Sequence, residues 1–240
     1  RNYSLVSNKK IAVLSGDGTS SYRFGEIWHF FETQLKYPLQ VLNNQNLGYL
    51  KLSNYDVLIL PGGFRAKKEQ MDAIVDFAKA GGTVLAMGTS LGKFADKEGF
   101  ALKRKKSNEE KEDTMTAPVD YSDRSRERIK NSISGSIFKS TLDPSHPLAF
   151  GYINNYYSLK VNSSAYELLK NGSNVGYYPS NTKKVAGFAG VNASKLVPNS
   201  LLFGVENKGS GKIIYMVDNP LYRSFWENGK LFIANAVFFN

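Results

Sequence analysis

"GGTVLAMGTSLGKF", residues 81–94, is the stretch on which the fold turns. Thr83–Met87 is a short run with no apolar/polar alternation, the pattern of a strand buried on both faces of a parallel sheet. It passes directly into Gly88-Thr89-Ser90-Leu91-Gly92. G-x-S-x-G is the spacing of a nucleophile elbow, a tight strand-to-helix turn that lifts a hydroxyl to the top of an α/β sheet. Ser90 is therefore the candidate nucleophile, and the rest of the chain must supply what a serine needs.

Upstream, the same grammar repeats. "KKIAVLSGDGTSS" (9–21) reads as a buried strand ending in a Gly/Asp/Ser loop, and "YRFGEIWHFFETQL" (22–35) as a helix. Phe24, Ile27, Trp28, Phe31 and Leu35 recur at three- and four-residue steps and predict one core-facing stripe. "PLQVL" (38–42) and "YDVLILPGGF" (55–64) are the next two strands. "KKEQMDAIVDFAKA" (67–80) is a helix with Met71, Ile74, Val75 and Ala78 on one side, closed by Gly81-Gly82 at its C-cap. Strand–helix alternation implies right-handed crossovers and a doubly wound sheet. Ligands in such sheets bind at the C-terminal strand ends. Three loops meet there: 16–20, Pro61-Gly62-Gly63-Phe64 and 88–92.

Beyond about residue 100 the character changes. "DRSRERIKNS" (123–132) predicts a short helix, "ISGSIFKS" (133–140) a strand and "DPSHPLAFGY" (143–152) a Pro-bounded loop. Four β-type runs follow, at 174–179, 184–190, 200–207 and 211–218, the last two joined by the Gly-rich hairpin turn of "ENKGSGKI". "LYRSFWENGKLFIANAVFF" (221–239) predicts a final helix packing Leu221, Phe225, Phe232, Ile233, Ala236 and Val237. There is no internal repeat or long linker, so the expectation is one domain over 1–240 with an elaborated β-rich second half.

The totals exclude much. With no cysteine, thiolate catalysis, disulfides and Cys-based metal sites are ruled out. The two histidines, His29 and His146, lie in no zinc-binding spacing. The net charge of +10 raises a nucleic-acid or anionic partner, but "KRKK" (103–106) is answered at once by "EEKED" (109–113), so no nucleic-acid partner is expected. No apolar run is long enough to span a membrane. N-x-S sequons at Asn2, Asn162, Asn171 and Asn192 matter only in a glycosylating host. The chain opens without Met and without a signal-peptide core. This suggests a processed or excised piece and fits a periplasmic or secreted bacterial protein.

"YDVLILPGGF" followed by "GGTVLAMGTSLG" resembles the class I glutamine amidotransferases over about residues 9–100. That resemblance implies a flavodoxin-like, doubly wound parallel sheet. It implies that Gly62 and Gly63 form an oxyanion turn, and that Ser90 stands where the family has its nucleophilic cysteine. "SGDGTSSYRFGEIWHFFETQL" is also similar to the amidotransferase-like amino-terminal domain of some biotin-protein ligases. "HPLAFGY" and "GKIIYMVDNPLYRSFWENGKLFIANAVFF" resemble the C-terminal accessory domain of certain bacterial zinc-carboxypeptidase-family proteins. This implies a linked metallopeptidase domain in the same chain, with zinc there and no cofactor here.

A serine needs a base. The N–H groups of Leu91 and Gly63 are placed to receive an oxyanion, but the downstream His-x-Glu of the family is missing. His146 is followed by Pro147 and Leu148. His29 lies on the first helix. Glu26 is a candidate acid near the crevice or a solvated helix residue. Asp17, in "GDGTSS", fails the dinucleotide fingerprint and reads as a capped turn. Asp218 and Asn219 read as a turn into the last helix. Tyr156-Tyr157 and Tyr177-Tyr178 are either core or a surface for glycan or peptide. The resulting expectation is a catalytically silent accessory domain with a degenerate site of Ser90, Gly63, Glu26 and His146. A Ser90 amide or ester hydrolase and a small-ligand binding module are the alternatives.

Overall fold

The computed structural model describes residues 8–106 and 120–240. The Asn2 sequon and the acidic run at 109–113 lie outside the described residues. The strands are β1 (Ile11–Ser15), β2 (Gln40–Asn43), β3 (Val57–Leu60), β4 (Thr83–Met87), β5 (Ile133–Leu142), β6 (Asn155–Lys160), β7 (Ser173–Tyr178), β8 (Lys184–Ala189), β9 (Ser200–Lys208) and β10 (Gly211–Met216). The helices are α1 (Ser21–His29), α2 (Lys68–Lys79), α3 (Arg124–Lys130), α4 (Val191–Leu196) and α5 (Lys230–Phe238).

Among the described residues the strands form one sheet in the order β2-β1-β3-β4-β10-β9-β7-β5-β6, with β8 also paired to β5. The pairs β1–β2, β1–β3, β3–β4 and β4–β10 are parallel, and every pair beyond β10 is antiparallel. The sheet is thus mixed, α/β in its first half, rather than parallel throughout. Alternation across the pleat builds two apolar layers. Ile11, Val13, Val57, Ile59, Leu85 and Met87 face the layer completed by Ile27 and Phe31 and, from α5, Phe232 and Ile233. Ala12, Leu14, Leu58, Leu60, Val84 and Ala86 face the layer completed by Ile74, Phe77 and Ala78 of α2. Among the described residues no helix is long and apolar enough to cross a membrane.

The first helix departs from its predicted register. At Phe30–Leu35 it widens into a π-helix; ahead of that, Glu26, Ile27, Phe30 and Phe31 make the buried face, and Trp28 is left 45% exposed, against the expectation that it faces the core. The final helix is shorter than the apolar run implies. Arg223 and Ser224 sit at φ 50° and 59°, a left-handed step that ends any helix. Regular α-helix begins only at Lys230, and Phe225 is exposed rather than packed. Two elements, β6 and α4, have no counterpart in the sequence reading.

The antiparallel half curls. In a flat sheet β6 would lie four strand spacings, about 19 Å, from β10. Yet Lys160 at the end of β6 meets Asp218 just past β10 at 3.1 Å.

Gly211, at the start of β10, is a close-approach site. A Cβ there would lie 2.2 Å from the carbonyl oxygen of Gly82 and 2.4 Å from that of Ala78. Gly25, within α1, has nothing within 4 Å of the same construction. Gly211→Ala is expected to lower unfolding free energy by about 1–3 kcal/mol through overpacking. Gly25→Ala should raise it by up to about 1 kcal/mol through helix propensity. Urea denaturation of the two variants against the parent checks both signs.

Candidate functional site

The C-terminal strand ends do converge. Arg65 N–H donates to the Gly18 carbonyl at 2.6 Å and Ser20 N–H to that of Gly62 at 3.3 Å, tying the β1 and β3 loops. Gly63 N–H donates to Thr89 Oγ1 at 2.7 Å, tying the β3 loop to the turn after β4. The three glycine-rich loops therefore frame one crevice, as their positions in the sequence imply.

Within it, the turn after β4 is in a different register from the motif. The strand ends at Met87, and the residue with positive φ is Gly88, at +56°. The sharp apex on which an elbow mounts its nucleophile is thus a glycine, and a Cβ built there meets nothing within 4 Å. Ser90 lies two residues on, in the short 3-10 turn Gly88–Lys93, and is 0% exposed. Its hydroxyl accepts from Met87 N–H at 2.8 Å and donates to the Met87 carbonyl at 2.9 Å. Ser90 closes the turn from inside, and its oxygen is not presented to the crevice as the motif spacing leads one to expect.

Gly63 is likewise occupied. The N–H expected to receive an oxyanion already binds a side-chain oxygen of Thr89. The cavity above Gly62, Gly88 and Thr89, with Arg23, Asn162 and Asn219 in its wall, holds about 40 Å³. That is close to the share of one water molecule.

Glu26 is near the crevice but is a buried anchor, not a solvated helix residue. Its carboxylate accepts from Arg23 Nη1 at 2.9 Å, from Arg223 N–H at 2.7 Å and from Asn219 Nδ2. These bonds tie α1 to the loop that follows β10 and hold Arg223 in its left-handed conformation. Beside them opens a cavity of about 720 Å³ bordered by Ser20, Arg23, Tyr222 and Arg223.

The histidines are elsewhere. His29 ends α1 on the exposed surface, its Nδ1 paired with the Thr33 hydroxyl at 2.8 Å. His146 Nδ1 accepts from Leu148 N–H at 3.1 Å and caps the turn 147–149. Burial lowers the His146 pKa, with Asp143 opposing and Lys212 reinforcing the shift. Lys212 pairs with Thr83, the first residue of β4. His146 therefore sits towards the end of the sheet opposite Gly88.

The sequence reading missed the role of a second buried carboxylate. Asp218 is no simple turn residue. It pairs with Lys160 at 3.1 Å, both side chains being at most 2% exposed, and accepts from Ser158 Oγ at 2.9 Å and from the Tyr178 hydroxyl. Lys160 also donates to the Ser164 carbonyl at 2.7 Å. Burial, then the Asp218 charge, push the Tyr178 pKa far up, so its hydroxyl stays a donor. Of the tyrosines named above, Tyr156 and Tyr178 are core, while Tyr157 is exposed. Among the described residues no group of three or more His, Asp or Glu side chains is arranged to hold a metal ion.

No protein-family model and no curated protein matches the chain. Among solved structures it is similar to a ThuA-like protein from Parabacteroides merdae, with a TM-score of 0.60 at 13% identity over 96% of this chain and 89% of that one. A ThuA-like protein from Bacteroides uniformis aligns with a TM-score of 0.58 at 14% identity over 98% and 92%. A β-galactosidase from Bacillus circulans aligns with a TM-score of 0.55 at 11% identity over 96% of this chain, which spans 31% of that enzyme's length. At these identities the likeness shows the fold alone, and that fold is class I glutamine amidotransferase-like.

Two experiments test this geometry. The chain has no cysteine, so single-cysteine variants report accessibility without background. Gly88→Cys is expected to react with a maleimide in the native state, and Ser90→Cys only on unfolding; equal native rates would contradict the burial. For the buried pair, Asp218→Ala should cost about 3–5 kcal/mol by stranding Lys160, and the double variant Asp218→Leu/Lys160→Met should recover part of that loss. Chemical denaturation of the single and double variants gives the comparison.

Proposed function

We propose that this chain is a non-catalytic, amidotransferase-like accessory domain. The observation that carries the reading is the elbow apex. It is Gly88, with no side chain to act, and the nearest hydroxyl in the motif is buried and bonded on both sides by Met87. Three further features support it. Thr89 occupies the Gly63 N–H that an oxyanion would need. The space directly over Gly88 and Thr89 is about 40 Å³, small beside an ordinary ligand pocket. His146 stands towards the far end of the sheet, so no imidazole is at hand to take a proton.

The partner we propose is a zinc-carboxypeptidase-like domain in the same chain, with the zinc held there. The role is to stabilise or position that enzyme, or to close part of its substrate cleft. It rests on the resemblance of residues 146–152 and 211–239 to the accessory domain of such proteins. We read 1–240 as one domain, the parallel half as flavodoxin-like, and the setting as periplasmic or secreted.

The test has two arms. A fluorophosphonate probe is expected to leave Ser90 unlabelled, with hydrolysis of small activated esters by the parent equal to that of Ser90→Ala. Labelling, or activity lost on that substitution, would restore a serine hydrolase. Sequencing the gene upstream of Arg1 should reveal a metallopeptidase domain; any other neighbour would end the peptidase assignment while leaving the silent elbow in place.

A further inference from the structure

A silent elbow leaves the larger cavity beside Glu26 without a role. At about 720 Å³ it falls in the size range of small-molecule sites. Its wall is built from residues 20–26, which follow the β1 loop, and from residues 222–224, which follow β10. It therefore lies over the C-terminal ends of parallel strands, where ligands of such sheets bind. Arg23 stands between it and the small cavity over Gly88, since it lines both.

The charged side chains of this wall are Arg23, Glu26 and Arg223. Glu26 is fully engaged from within. It is 6% exposed, and its oxygens accept from Arg23 Nη1, from Arg223 N–H and from Asn219 Nδ2. Arg23 thus supplies the countercharge of the buried carboxylate. The Arg223 guanidinium makes no ion pair and no hydrogen bond among the described residues. One positive charge is left over, and it belongs to a residue of the cavity wall.

That charge is held in place. The Cζ atoms of Arg23 and Arg223 lie over the same ring, that of Tyr222, at 5.1 and 5.3 Å from its centroid. A guanidinium over an aromatic face is attracted to it while its N–H edge stays free to donate. The main chain is fixed as well. Arg223 and Ser224 are consecutive left-handed residues at φ 50° and 59°, a conformation that persists in non-glycine residues only where the surroundings impose it and that gathers at ligand sites. Here the buried Glu26 imposes it through the Arg223 N–H.

The ligand class follows from the charge and shape of what is unanswered. One spare guanidinium matches one negative charge, and its planar fork matches a planar carboxylate through two parallel N–H···O bonds. Beside it, the Tyr222 and Phe225 rings lie 5.9 Å apart, with Phe225 56% exposed. They offer an aromatic surface to whatever carries the carboxylate.

We propose that this cavity binds an organic monoanion, its carboxylate held by the Arg223 guanidinium and its apolar body against Tyr222 and Phe225. The site uses no side chain of the elbow, so it stands or falls independently of the silent-domain reading.

The test is a titration of the ¹⁵N-labelled protein with N-acetylphenylalanine, followed by heteronuclear NMR, with the uncharged N-acetylphenylalanine amide and phenyl phosphate as comparisons. N-acetylphenylalanine should give saturating shifts at residues 20–26 and 221–225, and the amide should give none. Added salt should weaken the binding. Arg223→Gln keeps the backbone N–H that Glu26 holds, and should weaken binding by about tenfold or more at unchanged melting temperature. The proposal is overturned if N-acetylphenylalanine does not saturate, if its shifts gather elsewhere, if the amide binds as well as the acid, or if Arg223→Gln binds as the parent does. Tighter binding of phenyl phosphate than of the carboxylate would likewise overturn it in favour of a phosphate site.

Discussion

Every strand of the antiparallel half reaches the parallel half through β10. That strand pairs parallel to β4 on one side and antiparallel to β9 on the other. Its seat against the end of α2 leaves no room for a side chain at Gly211. The hairpin turn of residues 209–210 is bound to the same place, since Ser210 N–H donates to the Lys79 carbonyl at 3.0 Å. The main chain of α2 thus sets where the mixed sheet changes direction. The end of β10 then sets what arrives at the crevice, because Asp218 and Asn219 follow it within three residues.

Those two residues pull in opposite directions. Asp218 reaches into the antiparallel half, to Ser158 and Lys160 of β6 and Tyr178 of β7. Asn219 reaches back to Glu26 on α1. A buried ion pair is weak evidence for stability, since desolvating two charges offsets most of their attraction. Its effect here is geometric. The pair, with its two neutral donors, satisfies each charged group only when the sheet curls enough to bring β6 over the end of β10. A flat alternative would leave a lysine and an aspartate buried apart, which the apolar surroundings penalise heavily. The curl in turn brings Asn162, two residues past Lys160, into the wall of the small cavity over Gly88. The network that shapes the sheet thus also places part of that cavity's wall.

What was legible in the sequence was local. The first four strands, α2 with its Gly81-Gly82 stop, and the hairpin at 206–213 follow from short-range pattern and turn chemistry. The convergence of the glycine-rich loops follows from the strand–helix alternation. The illegible parts depend on contacts far along the chain. Arg223 holds a left-handed conformation because its N–H meets Glu26, 197 residues away, so the apolar run 221–239 looks like one helix and is not. Asp218 finds its partners 40, 58 and 60 residues upstream; nothing beside it distinguishes it from a turn aspartate. On α1 the buried face runs through Glu26, Ile27, Phe30 and Phe31 and leaves Trp28 out; a 3.6-residue period fits either choice, and the bonds of Glu26 to Asn219 and Arg223 are what decide it.

G-x-S-x-G matches Gly88 to Gly92 as a string, but the chemistry of an elbow is a matter of register against the strand: the acting residue must be the one at which the chain turns. The turn comes immediately after Met87, so the apex is the first glycine of the string and the serine lies past it. From there its side chain can reach back to the N–H and carbonyl of Met87, as a residue near the start of a helical turn does, and it is spent on closing that turn. Thr89, between the two, points across to Gly63 and fills the opposite half of the site. Glycine at the apex, threonine on the donor and serine under the turn are mutually consistent. The two hydroxyls are taken up by backbone groups, Thr89 by the Gly63 N–H and Ser90 by the N–H and carbonyl of Met87, and Gly88 brings no side chain. The side chains of the turn thus serve to close it.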